Sequence, residues 1–425
     1  MDIRFLFAVI LIAVVCVCLP VEDIRGHDSI PVSLISLDQG MYSICVDKSQ
    51  QRLHLFNGRD EVLNLPCSTG MNCGDKQVEG DRRTPEGIYF FKEILQGDEI
   101  PDFYGWRAYI LNYPNPIDMA RKKNGNGIWI HGRIIPLNST DTKGCISLTN
   151  DDLKKLSGYL EAYRTPIISI DNMIYIDGNS LDAMGKVYKN FIISWLDAWE
   201  NRDVERYRSC YSPRFHDTLR GDDFDAFIKR KQRIFEKYDH ISLLRNGIRI
   251  VGADGYVICY FLMDFAGGGF QNTGVKFVYL ENSTSGPKIL AEDFMALDRI
   301  STWDQEANEL VSRENDSLMA FLDTWSNAWE AKDLEKMKDC YAASFPSRDK
   351  YFEKKQRNLE SYQSIQVVLD NIETSRRGVY WKLRAKQRFT SDSYRDVGIK
   401  KLQLIRTSKG FFITEEEWER IYEES

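Results

Sequence analysis

The spacing of apolar residues changes character along this chain, and each change predicts a different kind of element. Phe5 to Leu19 is an unbroken apolar run of fifteen residues, preceded by Arg4 and closed by Pro20. It has no polar face and falls short of the about 20 residues that a membrane span needs. It therefore reads as a signal peptide or short N-terminal anchor over 1–20, followed by a linker over 21–38. Between 39 and 172 the apolar runs are short and are separated by Asp, Gly and Asn. Tyr42–Val46, Arg52–Phe56, Val62–Cys67 and Gly87–Lys92 are predicted strands, with a hairpin turn at residues 57–60. An apolar strand, GIWIHG, ends at His131 and Gly132. Beyond Ser147 comes a helix capped by Thr149 or Asn150, with Asp151 and Asp152 in its first turn.

From about residue 185 the pattern becomes long amphipathic helices followed by strands, and it occurs twice. WLDAWENRDVERYRSCYSPRF starts at Trp195 and WSNAWEAKDLEKMKDCYAASF at Trp325. Trp195/Trp325, Trp199/Trp329, Asp203/Asp333, Cys210/Cys340, Tyr211/Tyr341 and Phe215/Phe345 match at one offset. The KQR triplets at 231–233 and 355–357 match at an offset six residues shorter, so a loop between the blocks has lost six residues. The repeat is too long for a solenoid unit, which runs about 20–50 residues. The reading is a multidomain α+β chain: a mostly-β domain over 39–172, then α+β units over 185–300 and 315–422. The tryptophans, spaced i, i+4 on helices, are predicted core. The tail is expected to fold without the first domain and to dock it to wall polymer or a protein partner.

Composition narrows the function. A net charge of −7 argues against nucleic acid as a partner. The nine cysteines show no C-x-x-C or Cys/His metal spacing and are too dispersed for a disulfide framework. Cys45, Cys210, Cys259 and Cys340 read as small buried hydrophobes. No metal and no cofactor is implied.

Cys145 is different. It follows Thr142-Lys143-Gly144, and His131 lies fourteen residues upstream at the end of a strand. A thiol of pKa about 8.5 needs a base to become a nucleophile, and its tetrahedral adduct needs N–H donors. Gly144 permits a backbone turn that presents such donors.

The segment IHGRIIPLNSTDTKGCISL resembles the signature of the L,D-transpeptidase (YkuD) family, in which His-Gly closes a strand and Ser/Thr-x-Gly-Cys follows. MYSICVDKSQQRLHLF, the STG and TPEG turns, and YGWRAYILNYPNP extend the resemblance over about 130 residues in the right order. It implies that Cys145 is the nucleophile and His131 the general base. It further implies that the Gly132 carbonyl orients the imidazole and that Gly144 and Cys145 supply oxyanion-hole N–H groups. Many members carry Arg two residues after the cysteine; here it is Ser147, and Lys143 or Arg133 is expected to take that arginine's place. Thr142, Lys143, Arg133 and Ser147 are therefore the candidate substrate-binding residues. The repeats resemble NTF2-like cone domains. The combination is similar to periplasmic L,D-carboxypeptidases that set cell shape. The implied activity is acyl transfer on peptidoglycan stem peptides, to an amine or to water, by an enzyme exported to the periplasm or cell envelope.

Overall fold

The computed structural model describes residues 29–421, apart from 219 and 254, so the apolar run expected to direct export lies outside the described residues. Among the described residues no helix is long and apolar enough to cross a membrane.

The first unit holds two main sheets. One has five strands in the order Asp60–Pro66, Arg52–Asn57, Tyr42–Asp47, Ile167–Ile170 and Gly87–Tyr89. The other has four, Ile146–Ser147, Trp129–His131, Arg107–Leu111 and Phe91–Gln96. The hairpin turn read at 57–60 is present, with Asn57 paired to Asp60 across it. Ile44, Val46, Tyr89, Phe91, Tyr109, Ile130, Ile146 and Ile167 fill the core between the sheets.

The five-stranded sheet is apolar on both faces. Cys45, Ile88, Phe90 and Ile168 alternate with the residues just named and point the other way. There they meet the sheet of the next unit, at Val251, Ile258, Tyr260, Leu262, Phe277 and Tyr279. This explains the unbroken apolar run YVICYFLM in the Tyr256–Gly267 strand. Its even and odd positions enter two different cores.

The tail was expected to fold without the first unit; in the structure its first sheet buries one face against that unit. A further correction concerns residues 29–38, read as linker. Ser29–Pro31 pairs with Tyr175–Asp177, and Leu34 and Ile35 are completely buried. Ser36 exchanges two backbone hydrogen bonds with Ile250, extending the edge of the tail sheet.

The tail repeats itself element by element. Helices Gly178–Glu200, Val204–Ser209 and Phe224–Lys237 precede a four-stranded meander over 241–296. Helices Asp304–Glu330, Leu334–Asp339 and Arg348–Ser361 precede a second meander over 365–420. Trp195 Nε1 donates to Tyr211 Oη at 3.1 Å, and Trp325 Nε1 to Tyr341 Oη at 3.0 Å. The β-bulge at Asn246/Arg249 recurs at Asp370/Glu373, and that at Tyr279/Leu280 recurs at Gln403/Leu404. Cys210 and Cys340 are buried at matching helix ends, and each thiol donates to a carbonyl four residues back.

Candidate active site

Two short strands bring the chemistry together. Trp129–His131 pairs in parallel with Ile146–Ser147, with Ile130 opposite Ile146 and His131 opposite Ser147. Ile130 and Ile146 both point into the core. Side chains alternate, so Trp129, His131 and Ser147 share the opposite face with Cys145, one residue before Ile146. With strands about 4.8 Å apart, His131 and Cys145 are diagonal neighbours on that face.

His131 is 4% exposed. Its Nδ1 lies 2.6 Å from the Gly132 carbonyl, an oxygen that can only accept. Nδ1 therefore carries the proton, and Nε2 presents a lone pair. The Tyr104 ring meets the imidazole edge-on, 4.9 Å between centroids, and also packs on Trp129. Burial pushes the imidazole pKa down to about 4, and the Arg133 charge adds to that. The Gly132 carbonyl and Asp141 oppose the shift.

Cys145 is half-buried, and its thiol donates to the Gly127 carbonyl at 3.5 Å. Burial pushes its pKa up to about 11, opposed by a backbone hydrogen bond from Trp129 and by the Lys76 charge. With the thiol high and the imidazole low, the resting pair is neutral near pH 7.

The other residues singled out from sequence divide sharply. Gly144 has φ +128°, and a Cβ there would sit 2.8 Å from the Arg83 carbonyl and 3.1 Å from Ile128 Cδ1. Its N–H donates to Thr142 Oγ1 at 3.1 Å, so this N–H is already engaged, which corrects its reading as an oxyanion donor. Cys145 N–H makes no hydrogen bond among the described residues. Thr142 Oγ1 in turn donates to the Cys145 carbonyl at 2.7 Å, so Thr142 braces the turn rather than facing substrate.

Arg133 and Ser147 are also internal. Arg133 makes two bonds to Asp141, at 2.7 and 2.9 Å, and its Nη1 reaches Ser147 Oγ at 3.3 Å. Ser68 donates to the same carboxylate at 2.7 Å. A guanidinium thus stands at Ser147, supplied by the loop two residues beyond His131. Of the four substrate-binding candidates only Lys143 is exposed. Tyr104, Asp141, Ser68 and Lys76 were not picked out from sequence. Tyr104 lay within the YGWRAY run, whose aromatic pair was the available signal. The described residues contain no group of three or more His, Cys, Asp or Glu able to hold a metal.

Residues 41–168 match the L,D-transpeptidase catalytic domain family YkuD, and residues 187–293 match the Cds6 C-terminal NTF2-like domain. The structure of Bd1075 from Bdellovibrio bacteriovorus is 31% identical, with a TM-score of 0.55, over 63% of this chain and 99% of that one. The helical cell shape determining protein Pgp2 of Campylobacter jejuni is 25% identical, with a TM-score of 0.51, over 61% of this chain and 95% of its own. Among curated proteins, "Putative L,D-transpeptidase YafK" of Escherichia coli strain K12 is 27% identical over 159 residues. That match spans 35% of this chain and 61% of YafK.

Proposed function

This chain belongs to the YkuD family of L,D-transpeptidase catalytic domains, here followed by an NTF2-like domain, and from that premise we propose a cysteine acyltransferase acting on peptidoglycan stem peptides. The observation that carries the reading is the His131 imidazole, its Nδ1 held 2.6 Å from the Gly132 carbonyl, on the same sheet face as the Cys145 thiol. His131 Nε2 takes the thiol proton as Sγ attacks the carbonyl carbon of the L,D amide. The oxyanion of the tetrahedral adduct is received by Cys145 N–H. The imidazolium then protonates the leaving amine of the D-residue, and a thioester remains. An amine from a neighbouring stem, deprotonated by His131, attacks the thioester and restores the thiol, giving a new cross-link.

The alternative acceptor is water, which makes the enzyme an L,D-carboxypeptidase. The match with a helical cell shape determining protein, over 95% of that protein and 61% of this chain, favours including it and extends the proposal to trimming that sets cell shape. The basic residue and apolar run at the N-terminus support export to the envelope.

Incubation with purified disaccharide-tetrapeptides, read by mass spectrometry, tests both. Loss of the terminal residue indicates water as acceptor; a cross-linked dimer indicates an amine. A carbapenem adduct on the intact protein, absent in Cys145→Ala, locates the nucleophile. Turnover undiminished in Cys145→Ala would overturn the assignment.

A further inference from the structure

Between the two repeats lies a cleft of about 590 Å³, lined by Lys189, Arg245, Arg313 and Arg406 together with Glu200 and apolar strand residues. It forms where the Asp304–Glu330 helix and the Arg395–Thr407 strand pack against the Ile241–Ala253 strand. Its charges are unbalanced. Glu200 accepts the Leu243 N–H at 2.7 Å, and the buried Glu314 pairs with Arg406 at 2.9 Å. Four cations against these two carboxylates leave a surplus of two positive charges. Lys189 and Arg245 form no ion pair among the described residues, and Arg313 donates to the Arg245 carbonyl at 3.1 Å.

The repeat separates what the fold requires from what it does not. Glu330 accepts the Val367 N–H at 2.9 Å, as Glu200 does for Leu243, so this staple belongs to the fold. The cations are not repeated. At the corresponding positions of the other copy stand Met319 for Lys189, Leu369 for Arg245, Ala183 for Arg313 and Asn282 for Arg406. Like charges gathered in one cleft repel one another, and while Arg406 and Arg313 serve the seam between the repeats, no packing contact asks for the charges of Lys189 and Arg245. An anionic ligand accounts for them.

We propose that this cleft binds oxyanions of the wall polymer, in particular the free carboxylates of uncross-linked stem peptides, and so holds the enzyme on its substrate away from Cys145. The proposal rests on the wall-enzyme reading above. The volume suits a short peptide segment better than a lone ion. Arginine forks match carboxylates as two-point ligands, and Lys189 adds a point charge. Phosphate-bearing polymers share the same oxyanion chemistry, so the test separates the two sources.

Full-length Cys145→Ala protein, which leaves the probe intact, is titrated calorimetrically with a soluble disaccharide-tetrapeptide, its carboxyl-amidated form, and tripolyphosphate. The same titrations follow with Lys189→Glu/Arg245→Glu added. The expected result is about tenfold weaker binding of the tetrapeptide in the cleft variant, with the amidated probe indifferent to it. In the background with Cys145 restored, the cleft variant keeps its turnover on soluble muropeptides and loses rate on intact sacculi. Equal tetrapeptide affinity in parent and variant overturns the proposal. Tripolyphosphate alone distinguishing the two overturns the carboxylate source. Should the charge reversals unfold, Lys189→Gln/Arg245→Gln carries the same comparison. Failure of the enzyme reading shows separately, as no adduct on Cys145 and no turnover.

Discussion

An imidazole with its pKa pushed down to about 4 is a usable base through the whole neutral range. Turnover should therefore hold level from neutral pH downward and fall only as pH drops through about 4. A kcat/KM profile with its acid limb near 6.5 would contradict this. Stability shifts in the same direction. The unfolded chain protonates this histidine first, near 6.5, so the contribution of burying it neutral is full above 6.5 and shrinks as pH falls toward 4. The Arg133–Asp141 pair makes a second residue-level prediction, because it ties the loop just after His131 to Ser147, two residues after Cys145. Asp141→Asn leaves a buried guanidinium half-paired, and kcat should fall about 10–100-fold with KM little changed. A change confined to KM would assign the pair to substrate contact instead. The sequence showed His131 and Cys145 because both sit in short local motifs. It could not show this pair, because the link joins three segments through space. For the arginine missing at Ser147 the sequence offered both Lys143 and Arg133, and only the fold brings Arg133 there.

At the scale of elements, the sequence read best where the signal was local. Thr149 caps the Asn150–Ser157 helix by accepting the Asp152 N–H at 3.1 Å, as its position before two aspartates suggested. This helix start also presses on the histidine strand: a Cβ at Gly132 would lie 2.1 Å from Asn150 Oδ1. Thr149→Ala should lower stability by about 1 kcal/mol, seen as a drop in Tm, while leaving Cys145 acylation by a carbapenem nearly unchanged. Acylation abolished in a folded Thr149→Ala protein would mean that the cap controls the site directly. The internal repeat was equally legible, since an aromatic core spaced i, i+4 leaves matching letters in both copies. Residues 29–38 were not legible. Their strand partners lie more than a hundred residues away, and a polar-flanked segment before a domain looks the same whether it is free or docked.

At the scale of the whole molecule, the first unit and the first tail repeat share one hydrophobic core. Ile88, Phe90 and Ile168 from one side and Ile258, Tyr260 and Phe277 from the other are all nearly inaccessible. Each fully buried side chain of this kind contributes about 1.5–3 kcal/mol relative to exposure. Polar links reinforce the seam. Tyr256 Oη receives the Ile88 N–H at 2.6 Å and the Asn115 amide at 3.0 Å, and Glu306 binds Arg164 and Arg249 at once. A chain ending at residue 177 should therefore expose one face of its five-stranded sheet to water. It should unfold at a much lower Tm than the whole protein, with a broad transition and dye-accessible apolar surface, and lose turnover even on small soluble muropeptides. Tyr256→Phe, which removes only the seam hydroxyl, should cost about 1–3 kcal/mol, because it leaves buried Ile88 and Asn115 donors unpaired. Calorimetry on both variants decides the matter. A sharp transition and full activity in the truncated chain would show that the sheet face tolerates water, and that the tail serves only to place the enzyme.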